Sequence, residues 1–374
     1  MTKRFIHSPS YLSHLLVCSA LTGLLCPLLG SAASTYSFQK INNQTDPTFN
    51  QLLGINNTGT IAGYFGVGSM TNPNKGYTVA PPYGQGSYTN ENFPLSAQTQ
   101  VVGINSNGSP TTVGFWVDNA GNNFGFVNQG STFTSISDPN TPAGTGFNQL
   151  LGVNNNNVAV GFYIDANGDS QAYSYNIATA TFTAIKLPST FNPVMTTATG
   201  INNAGEISGF YIDGAGNAHG FLDNAGTFSI FDDPAGAGTN TSFLGLNNEG
   251  EVVGSYVDQL GITNGFTFND VTNTWTTVDD PNASSTAAFD VTGTTINGVN
   301  DIGQLVGFYS DGNNVDGFLA SPVPEPASLG YVAAGLLLSA CIYRRKRPHR
   351  CQNRASECKE HHAGTARSRF ALRR

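Results

Sequence analysis

The chain has 374 residues, of which 11% are charged and 44 are glycine, and this composition argues against a helical protein and for many short strands joined by tight turns. At 39% apolar residues it can bury a core, so it does not read as disordered. Between residues 34 and 321 the cations are Lys40, Lys75 and Lys186 against 21 Asp and Glu, and this middle balance of −18 excludes nucleic acid as a partner, because phosphate binding needs Lys and Arg.

In chain order, the first element is a secretory signal. Lys3 and Arg4 precede an apolar run from Leu15 to Leu29, and Gly30-Ser31-Ala32-Ala33 supplies the small residues of a cleavage site. An uncleaved anchor helix is the alternative. Leu25 before Cys26 does not fit a lipoprotein site, where a small residue is wanted. Cys18 and Cys26 lie in this segment and Cys341, Cys351 and Cys358 lie at the far end, so the middle uses neither disulfide nor thiolate ligand.

Six related stretches follow, each opening on a glycine: Gly54, Gly103, Gly152, Gly200, Gly245 and Gly298. Their spacings of 49, 49, 48, 45 and 53 residues are a period typical of propellers or arrays. Each complete copy divides into four apolar segments. The first ends in Gly-Ile-Asn or a close variant and turns through Asn-x-Gly, as at Asn203-Ala204-Gly205. The second is β-rich, as in Ile207-Ser208-Gly209-Phe210-Tyr211, and leads into an Asp-x-x-Gly turn at Asp118, Asp165, Asp213 and Asp258. The third reads Gly-Phe or similar, from Gly125-Phe126 to Gly317-Phe318. The fourth sets an aromatic three residues before an apolar residue, as in Phe133 with Ile136 and Trp275 with Val278, and often closes on Asp-Pro, which ends a strand.

Four strands per copy predict an all-β fold: a six-bladed β-propeller of four-stranded antiparallel blades over residues 34–321. The last copy lacks a fourth segment, and a spare one, Phe38-Gln39-Lys40-Ile41, stands near the start. It is expected to complete the last blade from outside. An open array of separate sheets is the alternative.

After the repeats comes Val323-Pro324-Glu325-Pro326, then an uncharged span at residues 327–343 long enough for a transmembrane helix, then Arg344, Arg345, Lys346 and Arg347, which act as a membrane stop. Residues 348–374 form a basic extension, expected to be unstructured and cytoplasmic.

This tail resembles the PEP-CTERM sorting signal. The resemblance implies that Val323, Pro324, Glu325 and Pro326 are recognised by an exosortase, a membrane cysteine transpeptidase. The tail would then be removed, leaving the protein at the surface of a Gram-negative, exopolysaccharide-producing cell. A proline-rich linker before an ordinary anchor is the plainer reading. The repeat in turn resembles the HAF-type extracellular repeat over residues 52–320, visible in Ala218-His219-Gly220-Phe221 and in the Gly-Ile-Asn and Gly-Phe-Tyr segments. That resemblance implies secretion and a propeller-like structure, and carries no known catalytic residue.

Catalytic residues are scarce. His219 is the one histidine of the middle region, in a slot filled in other copies by Phe124, Gln171, Asn264 and Asp316, so it reads as a strand position. A sialidase-like site needs an arginine cluster, and this region has no arginine. Neither is there a Gly-Lys-Ser/Thr phosphate loop. Asp232-Asp233 and Asp279-Asp280 offer paired carboxylates, but neighbours on a strand face opposite ways, so they read as turn formers. Asp165, Asn167 and Asp169 are weak calcium candidates. An EF-hand wants Gly at the sixth position and Glu at the twelfth, where Ser170 and Asn176 stand. No other cofactor is implied. The aromatics Tyr64, Phe65, Trp116, Tyr163, Tyr211, Tyr256 and Tyr309 read as packing between blades, with a sugar-stacking platform as the alternative.

The expectation is a surface-sorted, non-enzymatic protein of the biofilm matrix that binds polysaccharide or a protein partner. The rival is a carboxylate-based hydrolase or lyase, which requires carboxylates from different blades to converge in a central pocket.

Overall fold

The computed structural model describes residues 36–142, 146–236 and 240–323. Six four-stranded antiparallel sheets make up this region. Their innermost strands are Asn50–Ile55, Gln98–Ile104, Asn148–Val153, Pro193–Ile201, Thr241–Leu246 and Thr294–Val299, one per blade from 1 to 6. Each innermost strand lies beside that of the next blade, and blade 6 returns to blade 1. The ring is therefore closed, and the open-array alternative is set aside.

Closure comes from the spare segment. Tyr36–Lys40 pairs antiparallel with Val315–Pro322, Lys40 standing opposite Phe318 and Phe38 opposite Ala320. The Phe38 and Phe318 rings lie 5.5 Å apart. Lys40 Nζ reaches Asp316 Oδ2 at 2.6 Å, and Asn42 Nδ2 donates to Asp316 Oδ1 at 2.7 Å. Asp316 is buried, so both carboxylate oxygens are satisfied by residues about 275 positions upstream.

The leading glycines have a shared physical role. A Cβ on Gly54 would stand 2.6 Å from the Val102 carbonyl oxygen of blade 2, and one on Gly298 would stand 2.9 Å from the Leu53 oxygen of blade 1. At the leading glycines the inner backbones of neighbouring blades thus approach too closely to admit a side chain. The adjoining turns follow the three-residue hairpin expected. Gly205, at φ +87°, donates its N–H to the Asn202 carbonyl, and Asn202 N–H donates to Glu206 O.

The core lies between blades. Val160 and Ala172 of blade 3 pack on Ala198, Tyr211 and Phe221 of blade 4, and corresponding clusters occupy the other five junctions. Each fully buried aromatic or aliphatic side chain contributes about 1.5–3 kcal/mol. Tyr64, Tyr211, Tyr256 and Tyr309 are buried. Trp116 is half-buried, stacked between Phe93 at 4.3 Å and Phe124 at 4.9 Å. These aromatics therefore serve packing and do not form an open platform.

The signal segment, Pro324, Glu325, Pro326, the span at 327–343, the cluster Arg344, Arg345, Lys346 and Arg347, and the extension all lie outside the described residues. Val323, the last described residue, is exposed.

Candidate functional site: the central channel

Every inner strand slips register by one residue just before its leading glycine. The bulged residues are Leu53, Val102, Leu151, Thr199, Leu244 and Asn297, and all six line a central cavity of about 280 Å³. Gln100, Gln149 and Phe115 line it on the side away from the Asn-x-Gly turns, and Ile55, Ile104, Val153, Ile201, Leu246 and Val299 line it toward them. A signal for this was present in the sequence. Leu52-Leu53, Val101-Val102, Leu150-Leu151 and Phe243-Leu244 each set two apolar residues in succession, which breaks strand alternation and marks a bulge.

Among the described residues no charged side chain lines this cavity. The convergent carboxylates demanded by the hydrolase alternative are therefore not found at the channel among the described residues.

The turn-side mouth is built from asparagine. In each blade the first Asn after the inner strand caps its own turn; Asn154 Oδ1, for example, accepts the N–H groups of Asn156 and Val158. In five of the six its Nδ2 also donates to the carbonyl of the equivalent Asn in the next blade, at 3.0–3.2 Å. The exception is Asn202, which donates to Glu206.

The following position makes a complete circle. The N–H of Asn57 donates to Ser106 Oγ, Ser106 to Asn155 Oδ1, Asn155 to Asn203 Oδ1, Asn203 to Asn248 Oδ1, Asn248 to Asp301 Oδ1, and Asp301 back to Asn57 Oδ1, all at 2.8–3.0 Å. Among the described residues that line this mouth, Asp301 is the one carboxylate. Partial desolvation raises its pKa, but the hydrogen bonds from Asn248 and Asn57 outweigh that and hold it below the usual range.

The calcium candidates form a turn. Asp165 Oδ1 accepts the backbone N–H groups of Asn167 at 2.8 Å and Asp169 at 3.1 Å, and Oδ2 accepts Gln171 Nε2. Desolvation raises the Asp165 pKa, but these bonds hold it below the ordinary value. Asp118, Asp213 and Asp258 cap their turns in the same way. Among the described residues no group of three or more His, Cys, Asp or Glu is placed to hold a metal ion.

The adjacent acids separate as strand geometry requires. Asp233 caps the Ala235 N–H and Asp280 the Asn282 N–H. Asp279 instead accepts from Gly265, and Asp232 faces His219 Nδ1 at 2.8 Å. Burial raises Asp233, Asp279 and Asp280. His219 sits on its strand stacked against Tyr211, with Nε2 3.4 Å from Asp213. The Asn217 N–H, first among several donors, draws Asp213 down to about 2. Sequence reasoning did not foresee that His219 would lie between two carboxylates.

No protein-family model matches the chain, and no curated protein matches it. Solved structures do. A six-bladed fungal lectin from Aleuria aurantia with a fucose recognition mode is 11% identical, with 77% of this chain and 99% of that one covered, at a TM-score of 0.47. AofleA from Arthrobotrys oligospora is 12% identical over 75% of this chain and 85% of its own, at 0.49. A prolyl endopeptidase is 10% identical at 0.42, and the match takes in 72% of this chain but 41% of the peptidase. The assignment of a closed six-bladed β-propeller rests on this chain's own strand pairing.

Proposed function

We propose that this protein is a secreted, surface-sorted binding protein of the exopolysaccharide matrix, without enzymatic activity, and that its central channel takes an uncharged part of a neutral polysaccharide. The observation that carries this reading is a cavity lined by all six blades with aliphatic, amide and aromatic groups and no charge. Amides match sugar hydroxyls, and an aromatic face such as Phe115 matches the C–H face of a sugar ring. The −18 middle region disfavours anionic lipid and nucleic acid.

Neutral oligosaccharides on a glycan array are expected to bind the intact protein, with calcium making no difference. Replacing Phe115 and Gln149 together by alanine is expected to weaken that binding about tenfold or more. Binding that stays at background on every neutral glycan would remove the channel reading.

Sorting is the second part of the proposal. The apolar start directs export. Val323, Pro324, Glu325 and Pro326 are recognised by an exosortase, while the span at 327–343, held by Arg344, Arg345, Lys346 and Arg347, forms an inner-membrane intermediate. The tail is then removed and the propeller reaches the surface of a Gram-negative cell. Intact mass of the surface-recovered protein is expected to lack both the leader and everything beyond the Pro-Glu-Pro box. A mass that retains residues 327–374 would refute the processing.

A further inference from the structure

Blade 1 differs from the other blades in two buried aromatic positions. Its third strand, Lys75–Val79, carries Tyr77 where blades 2, 4, 5 and 6 carry Phe126, Phe221, Phe266 and Phe318. Blade 3 has Tyr173 there, but that hydroxyl donates to Asn148 Oδ1 at 2.7 Å. The equivalent Asn50 in blade 1 is already engaged, accepting from the Asn43 N–H and donating to the Asp46 carbonyl. Tyr77 is 2% exposed, and its hydroxyl has no partner among the described residues.

The outer strand repeats the pattern. Tyr88 occupies the slot held by Phe133, Phe182, Phe228 and Trp275 in blades 2 to 5, and its buried hydroxyl likewise has no partner among the described residues. The two rings meet edge to face at 4.9 Å. Burial pushes the Tyr88 phenol up to about 12 and Tyr77 well above its ordinary value, so both remain hydrogen-bond donors.

Both tyrosines line one cavity of about 230 Å³ between blade 1 and the segment entering it. Phe65 and Lys75 line it too, with Asn43, Thr45, Asn90 and Asn92 supplying amide and hydroxyl groups. Phe65 stacks on Tyr77 at 6.3 Å. Lys75 makes no ion pair among the described residues, in a region that has three lysines in all. An unpaired buried hydroxyl costs about 1–3 kcal/mol, and two such costs fall in one blade where phenylalanine would carry none.

We propose that this cavity binds a single acidic sugar unit, a uronate, with Lys75 meeting the carboxylate, Tyr77 and Tyr88 hydrogen-bonding to ring oxygens, and Phe65 covering the apolar ring face. The chemistry is specific to that class. The ligand must accept from phenols and ammonium, exchange both kinds of hydrogen bond with amides, and present a flat apolar face. The cavity is smaller than the roughly 300–1,000 Å³ of drug-sized sites, which fits one sugar ring.

The test is calorimetric titration of the intact secreted protein with sodium glucuronate and sodium galacturonate, with glucose as the neutral control. Saturable binding of a uronate is expected, weakening as salt rises. Lys75→Gln is expected to lower the affinity about tenfold or more. The double variant Tyr77→Phe, Tyr88→Phe is expected to lose binding comparably while its ligand-free melting temperature rises. Gln149→Ala, in the central channel, leaves uronate binding unchanged, so the two sites fail or stand separately. No saturable uronate binding up to about 10 mM overturns the proposal. So does uronate binding that Lys75→Gln and the phenylalanine pair leave intact, which would make the two hydroxyls a cost of the core alone.

Discussion

Deleting residues 36–42 while keeping the leader is expected to open the ring. The deletion strips the outer strand from blade 6, together with the Phe38 ring over Phe318 and both partners of the buried Asp316 carboxylate. Burial of one aromatic contributes about 1.5–3 kcal/mol, and an unsatisfied buried acceptor costs about 1–3 kcal/mol. Before the lost strand pairing is counted, that already approaches the 5–15 kcal/mol by which domains are typically stable. The exposed edge of Val315–Pro322 would also invite pairing with another chain. The expected outcome is a protein that melts far below its parent or elutes as oligomers in size-exclusion chromatography. Lys40→Met alone is expected to cost about 1–3 kcal/mol, since it frees one Asp316 oxygen and leaves the Asn42 bond in place. A monomeric deletion variant that melts within about 2 °C of the parent would show that closure does not depend on this strand.

The second large effect is expected from one methyl group. A Cβ on Gly161 would stand 1.9 Å from the Gln149 carbonyl oxygen, where real Cβ atoms essentially never come under 3.0 Å. The same glycine recurs in every blade: Gly63, Gly114, Gly209, Gly254 and Gly307 would place a Cβ 2.0–2.3 Å from the matching inner-strand carbonyl. The obstacle is main chain inside a paired sheet, so no side chain can swing aside. Gly161→Ala is expected to cost about 3 kcal/mol or more and to lower the melting temperature by about 6 °C or more. Gly108→Ala, with nothing within 4 Å of its Cβ, is expected to stay within about 0.5 kcal/mol of the parent. Because Gln149 lines the channel, the Gly161 variant is also expected to weaken glycan binding. Equal melting temperatures for the two variants would contradict this account of the inner strands.

The ring and its closure were legible in the sequence because both are written in local chemistry. Asn-x-Gly and Asp-x-x-Gly encode hairpins, Gly-Phe encodes a close strand with a core aromatic, and the missing fourth segment of blade 6 matched the spare one at Phe38. Blade 1 was less legible. Its second and third strands are joined by a longer Ser, Asn and Pro connection between Phe65 and Lys75, and Gly76-Tyr77 was not recognised as the Gly-Phe pair. The cavity beneath it therefore went unseen. The channel and the asparagine mouth were missed for another reason. The Asn-x-Gly turns at Asn57 and Asn203 were legible as turns within one copy, but these residues and their neighbours also bond across to the next blade. A repeat period reports what each copy does to itself; partners 45 to 53 residues away appear only once the copies are set side by side.

The loop of amide donors from Asn57 round to Asp301 runs in one sense, each member giving to the one ahead, and it has no first or last member. A linear stack of repeats frays from its termini, because an end unit holds on by a single junction. Here each wedge is gripped on both flanks, and lifting any one away severs two links and exposes two apolar walls together. The hub consequently behaves like a keystone arch bent into a circle: it resists piecemeal loosening and gives way all at once.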